Sequence, residues 1–487
     1  FLSKETGEDK KEDKKEEDTQ GAPANGADGD VQIVSVTNEA FDDAIKKQVD
    51  DNASTRSYAT VPGVRLNKLI ISYKEYIKDF AKSDAKLMTG EKEDLQKCKD
   101  KTKKFMDESS SVVNYLVKEF EMKKNAQLHA RSTISKTGII DPLKLHSYKY
   151  AEDIFKKMSS IPNQKNHGMM FLLDWSGSMQ RNLMPTTEQL LNLVMFCRKI
   201  NIPFSVYKFL NNSSAGYSYS ERMANKMKSH PDSPFITDAK TLQPDQTTRL
   251  VQLFTHKQSK SDFRRCAENL HRSAMYFSDY GYRGRYNDPD HIDVPRITNK
   301  YYLSSTPLNE AFIAMDPMIA KFRKDYKTDK VALVTLTDGS ANSINTIDGG
   351  ELMIKLNNRY KKCEYSWRGK GKDLTHHLLE NLKKKYQLQT IGFFLVKKYT
   401  DLRYTFQVPY AKEALAKRMF TKDKFIADYG TGYDVYYYVK SDTKVANKVY
   451  DDTATVKKSQ LKRMFMSGMK KRLESRVLLQ NFIKRVA

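Results

Sequence analysis

Cysteine is scarce. The 487 residues hold four, Cys98, Cys197, Cys266 and Cys363, scattered and without a C-x-x-C pair. This excludes a disulfide framework and suits reduced thiols in a reducing compartment. Long apolar runs are missing as well, and none approaches the length of a membrane span. No Gly-x-x-x-x-Gly-Lys-Ser/Thr stretch occurs, so an ATP-binding phosphate loop would have to come from another chain. A His-Glu-x-x-His zinc helix and a Gly-x-Ser-x-Gly elbow are absent too, which argues against a peptidase or hydrolase. His376 and His377 are adjacent on an expected helix, where neighbours do not share a face, and they read as exposed rather than as ligands. The opening residues, Phe1-Leu2-Ser3-Lys4-Glu5, lack both Met and a signal-peptide pattern and read as a fragment or processed product.

Positive charge is abundant, with a formal net charge of +24. Such an excess suits an anionic partner, either nucleic acid or an acidic protein surface. Solvated lysines on helix faces produce the same total, and no nucleic-acid motif accompanies them. Residues 1–30 run against the trend: ten acidic residues against five lysines make the segment −5 and leave +29 on the rest. It has too few apolar residues to offset chain entropy and is expected to be a disordered tail.

Residues 31–165 read as mainly helical. Thr37-Asn38-Glu39 can start a helix before Phe41, Ile45 and Val49. Leu66, Leu69, Ile70, Tyr73, Ile77 and Phe80 form a second stripe at helical spacing, and Val112, Val113, Tyr115, Leu116, Phe120 and Met122 a third that runs towards His129. These are core or partner-packing faces. Gly138-Ile139-Ile140-Asp141-Pro142 reads as a turn.

After residue 166 the pattern alternates. Expected strands are Met169–Asp174, Pro203–Phe209, Val331–Thr337, Thr390–Val396 and Tyr433–Val439; expected helices are Thr186–Ile200, Leu308–Phe322, Leu374–Tyr386 and Ala411–Met419. This alternation predicts an α/β fold with a doubly wound, mostly parallel sheet, preceded by the helical N-terminal region. About ninety residues, 210–303, interrupt it. Within them Leu250–Phe254 and Phe263–Phe277 read as helical. The remainder is aromatic, with Tyr217, Tyr219, Tyr280, Tyr282 and Tyr286 beside Arg283 and Arg285, and suits a partner-binding lid first and a nucleic-acid surface second. The C-terminal stretch, 446–487, places Leu461, Phe465, Met469 and Leu473 on one face of a basic helix. Such a stripe packs on its own domain more often than it lies on a membrane.

The chemistry concentrates in Asp174-Trp175-Ser176-Gly177-Ser178. A carboxylate at the tip of a buried strand, with hydroxyls two and four positions on, gathers three hard oxygen donors around one point. That suits a divalent cation such as Mg²⁺. Ser305-Thr306-Pro307 brings another hydroxyl to a helix start, and a second buried strand ends in Thr337-Asp338-Gly339. Ligands of a parallel sheet gather beyond the carboxyl ends of its strands, so Asp174 and Asp338 are expected to meet there. Asp, Ser and Gly are also the ordinary residues of α/β turns and helix starts. The three stretches in this order favour the metal.

Together, Asp174-x-Ser176-x-Ser178, Thr306 and the Thr-Asp-Gly around Asp338 resemble the metal-ion-dependent adhesion site of von Willebrand factor A domains. The stretch from about Glu119 to the C-terminus looks most similar to A-domain proteins of the cobaltochelatase CobT type, phage-encoded relatives included. The resemblance implies a von Willebrand A, Rossmann-like domain over 166–445 with an insertion at 210–303. It implies Mg²⁺ or Mn²⁺ held by Asp174, Ser176, Ser178, Thr306 and Asp338, still electrophilic towards a partner's carboxylate. It further implies a non-catalytic subunit that works with a separate AAA+ ATPase of the MoxR/CobS-like kind, or with its client, in metal chelation or protein remodelling. The setting would be the cytoplasm, or a host's cytoplasm or a virion if phage-encoded. Ser304-Ser305 stands where relatives often carry two glycines, which makes that loop less pliable. Two other readings stay open: a standalone or virion-associated metal-dependent binding protein, and nucleic-acid binding through the basic surface.

Overall fold

The computed structural model describes residues 56–131, 133–135, 149–150, 158–160, 166–211, 233–280, 293–339, 341–344, 351–363, 372–396, 399–402, 410–422 and 424–440. The acidic tail, the helix after Thr37, the turn at Gly138–Pro142, most of the aromatic cluster from Tyr217 to Tyr286 and the C-terminal helix lie outside the described residues.

The elements that position the site are these, in chain order. Strand β1 is Arg56–Thr60, β2 is Ile70–Ile71, helix α1 is Tyr73–Asp84 and α2 is Thr89–Arg131. Next come β3 (His167–Asp174), α3 (Leu183–Lys199), β4 (Phe204–Asn211), β5 (Thr248–Thr255) and α4 (Lys260–Tyr280). Helix α5 (Leu308–Tyr326), β6 (Lys330–Leu336), β7 (Glu351–Leu356), β8 (Arg359–Cys363) and α6 (Lys372–Tyr386) follow. The last are β9 (Gln389–Val396), α7 (Tyr410–Lys422), β10 (Phe425–Asp428) and β11 (Val435–Lys440).

Eight strands form the main sheet in the order β10-β11-β9-β6-β3-β4-β5-β2. Pairing is parallel except between β10 and β11 and between β4 and β5. Without the short edge strands, and counting β3 as first, the order becomes 3-2-1-4-5-6. This is compatible with a doubly wound α/β fold, whose direction of winding reverses between the first and fourth strands, here β3 and β6. Every residue of β3 after His167 is buried, as expected for a central strand covered on both faces. Leu190, Leu191, Leu193, Val194, Phe196 and Cys197 of α3 are buried as well. All four cysteines are free and buried.

Two expectations change. Leu250–Phe254 is strand, not helix: it belongs to β5, which runs antiparallel to β4 in the main sheet. A short apolar run does not distinguish a buried strand from a buried helix by periodicity alone. The stretch at 210–303 therefore supplies a sheet strand and the covering helix α4. The stripe from Leu66 to Phe80 is also divided. Ile70 and Ile71 pair with Leu250 and Val251, and Ser72 starts α1 by accepting a hydrogen bond from the Glu75 N–H at 3.2 Å. The stripe on helix α2 holds in part: Val113, Leu116 and Phe120 are buried, with Phe120 edge-on to Phe196 of α3, whereas Tyr115 and Met122 are exposed and belong to its solvent face.

A second, three-stranded sheet, β1-β7-β8, was not anticipated. Its hairpin turns through Asn357 and Asn358, both at positive φ (48° and 62°). A two-residue turn of this hand fits the twist of the flanking strands, and Asn tolerates it.

Gly392 of β9 sits opposite Tyr436 of β11, and the ring lies across the glycine. A Cβ built there would stand 2.1 Å from the ring. Gly392→Ala is therefore expected to lose about 1–3 kcal/mol in urea unfolding, the usual cost of overpacking. An unchanged midpoint would show that the ring moves aside freely.

Candidate metal centre

Asp174 ends β3, and Asp338 lies two residues beyond the end of β6. Leu173 pairs with Leu336, so the two carboxylates leave adjacent strand ends at the reversal point of the sheet. Three loops meet here. The first carries Asp174, Ser176 and Ser178. The second, at 304–306, is pinned to the first by the Gly177 N–H, which donates to the Ser304 carbonyl at 2.9 Å. The third follows β6, and its Asn342 N–H donates to the Thr306 carbonyl at 3.0 Å. Ser176 and Ser178 hydroxyls are 3.0 Å apart. Asp174, Ser176, Thr306 and Asp338 are buried, whereas Ser178 is exposed at the mouth. The sheet thus brings Asp174, Ser176, Ser178 and Asp338 to one place; Thr306 arrives with its loop, which the Gly177–Ser304 bond ties to the first loop and the Thr306 carbonyl ties to the third.

The carboxylate of Asp174 is fully buried and half-satisfied. Its Oδ2 accepts a 2.6 Å hydrogen bond from the Thr337 hydroxyl, while among the described residues no donor meets Oδ1 in hydrogen-bond geometry. Burial, and next the charge of Asp338, push its pKa up to about 8. Thr337 pulls it back in part, as do the hydroxyl and the backbone N–H of Ser176. An orphaned buried carboxylate oxygen beside a second carboxylate and several hydroxyls fits a hard cation. Among the described residues no three His, Cys, Asp or Glu side chains converge, so a site of the zinc type is not formed there.

Thr337 is itself held firmly. Its hydroxyl accepts from the Gly339 N–H at 3.1 Å, and its carbonyl accepts from the Tyr436 hydroxyl at 2.5 Å. Gly339 has φ 81°, a conformation that glycine adopts without strain. Sequence reasoning used Thr337 only as context for Asp338. Its place on the last turn of a buried strand was the available signal.

Trp175 and Lys208 were missed altogether. The Trp175 indole N–H donates to the Tyr301 carbonyl at 2.9 Å, which fixes the loop between Asp174 and Ser176. Lys208 of β4 is buried, and among the described residues its ammonium donates no hydrogen bond. Its Nζ lies 4.3 Å from the Trp175 ring centroid, 4.8 Å from that of Tyr76 and 4.9 Å from that of Tyr301. The three ring faces replace part of the lost hydration. Burial nevertheless lowers its pKa to about 7, against a small opposing effect of Cys266. A lone Lys inside an apolar strand was the only hint in the sequence. Beside the site, Asn211 Nδ2 donates to Ser305 at 2.6 Å and to Asp245 at 2.9 Å, tying part of the 210–303 stretch to the loop of Thr306. His376 is exposed, and His377 contacts the Lys362 carbonyl, so neither joins the site.

No protein-family model and no curated protein matches the chain. Among solved structures it is similar to the pilus adhesin SpaC from Lactobacillus rhamnosus GG in its open conformation, at 10% identity and a TM-score of 0.27. That similarity covers 54% of this chain and 30% of the adhesin, so the chain spans under a third of that protein's length. Among the described residues no helix is long and apolar enough to cross a membrane.

Asp174 keeps its proton to a higher pH in the folded chain than in the unfolded one. Its ionisation therefore costs stability as pH rises from the ordinary carboxylate range to about 8. Asp174→Asn removes that cost. In metal-free buffer at pH 9 the variant is expected to melt a few degrees above the parent, with the gap closing towards pH 4. Lys208 works in the opposite direction. Its folded pKa lies below the usual lysine value, so stability recovers as pH rises from about 7 to that value. Lys208→Met should melt above the parent at pH 7, and the difference should shrink by pH 10. A Met variant with a constant gap would mean that the rings already satisfy the ammonium.

Proposed function

We propose that this chain is a von Willebrand A-type protein similar to the CobT group, and that it recognises a partner through a divalent cation. Asp174, Ser176, Ser178, Thr306 and Asp338 would hold Mg²⁺ or Mn²⁺. The observation that carries the reading is the orphaned Oδ1 of Asp174, buried beside Asp338 where the sheet reverses direction. The strand order and the antiparallel third strand also support it.

Two carboxylates formally balance a divalent ion and the three hydroxyls are neutral, so the bound ion would be electrophilic through an open Lewis-acidic position, which an incoming carboxylate could fill. The chain's own residues perform the positioning. Thr337 orients one oxygen of Asp174, Trp175 fixes the loop behind it, and the Gly177–Ser304 link joins two donor loops. Recognition of a carboxylate-bearing protein, rather than catalysis, is the expected outcome. The partner would be an AAA+ ATPase of the MoxR/CobS-like kind, or its client. No membrane span is involved in this reading.

Calorimetry with Mg²⁺ and Mn²⁺ tests the centre on the full chain. Binding by the parent and at least a tenfold loss in Asp174→Ala/Ser176→Ala are expected. Equal binding by parent and double variant would place the cation elsewhere and overturn the reading. A pull-down in Mg²⁺ against EDTA tests the partner. An AAA+ ATPase should be retained by the parent in Mg²⁺ alone and released from the double variant. Retention of a non-ATPase partner would favour the standalone binding protein.

A further inference from the structure

The small sheet β1-β7-β8 has one face in the core and one in water. Ser57, Ala59, Leu352, Ile354, Leu356 and Cys363 point inwards. The register places the alternate residues on the opposite face: Arg56 and Tyr58 of β1, Met353 and Lys355 of β7, and Tyr360 and Lys362 of β8. Tyr58 is 52% exposed and Tyr360 49%, an unusual amount of aromatic surface to leave in solvent. Their ring centroids are 5.1 Å apart, edge to face, across the middle strand. Lys355 Nζ stands 5.9 Å from the Tyr360 ring and makes no ion pair among the described residues. Among the described residues Glu351 is the one carboxylate of this face; Lys362 contacts it at 2.8 Å and Arg56 at 3.7 Å. Three cationic side chains thus surround two exposed rings with one acid between them.

We propose that this face binds single-stranded nucleic acid, with bases stacking on Tyr58 and Tyr360 and phosphates paired with Arg56, Lys355 and Lys362. A sheet face offers flat ring surfaces rather than a pocket. Flat rings suit bases, each of which has a π-face, better than they suit the side chains of an acidic protein, whose anchors require pockets. Two rings accommodate about two bases, as on other sheet platforms that bind single strands. The net charge of +24 supplies the long-range attraction. This site is separate from the proposed metal centre and does not rest on it.

Fluorescence anisotropy of a labelled oligothymidylate of about twelve nucleotides, with the full chain, tests the assignment. Tyr58→Ala/Tyr360→Ala is expected to bind at least tenfold more weakly, with the slope of log affinity against log salt unchanged. Lys355→Gln/Lys362→Gln should instead reduce that slope by about 1.4, two phosphate contacts on a single strand. Tyr58→Phe/Tyr360→Phe, which keeps both ring faces, should bind like the parent, and an unchanged urea-unfolding midpoint of the Ala variant separates lost stacking from misfolding. The proposal is overturned if the parent shows no binding at low salt, or if the Ala variant binds as the parent does. Displacement of the oligomer by polyglutamate as readily as by unlabelled oligomer would also overturn it and point to an acidic protein.

Discussion

A carboxylate buried at the tip of the central strand is the constraint on which the site depends. Buried in the interior, Asp174 must either keep a proton or face a cation, since among the described residues no donor meets Oδ1 in hydrogen-bond geometry. The proximity of Asp338 sharpens the same demand. Two carboxylates held this close raise the pKa of one of them, so that it keeps its proton.

The surrounding packing keeps that strained arrangement in place. Tyr436 reaches over Gly392 to the Thr337 carbonyl, so a residue without a side chain on β9 admits the ring that steadies the end of β6. On the other side Trp175 is fixed by the Tyr301 carbonyl, and Tyr301 in turn donates to Asp79 of α1 at 2.7 Å. Lys208 sits within these rings. The N-terminal helices therefore act on the site indirectly, through the aromatic box behind the Asp174 loop.

Much of the α/β alternation was legible. β3, β6 and β9 are apolar runs buried on both faces, and their helices announce themselves by periodicity and by residues such as Pro307 just before α5. The candidate residues were legible as well, because Asp-x-Ser-x-Ser and Thr-Asp-Gly each close a buried strand. The sheet at β1-β7-β8 was not read. β8, Arg-Tyr-Lys-Lys-Cys, has a polar surface pattern, although Asn357-Asn358 was a turn signal in plain view. β5 reads equally well as helix, because five apolar-rich residues satisfy either period.

The amino-acid order by itself determined which segments seek burial, the +24 charge, the absence of a phosphate loop, and the set of oxygen donors at the strand ends. Those properties are local, set by side-chain chemistry and by spacing along the chain. The tertiary structure decided which strands became neighbours. Only the order of the sheet puts Asp338 beside Asp174, from which it is far removed along the chain, and only burial beside that neighbour raises an ordinary aspartate well above the usual carboxylate range. It also decided that Lys208 lies among three rings and that Tyr58 and Tyr360 share an exposed face. Desolvation and proximity arise from three-dimensional packing, and no local pattern encodes them.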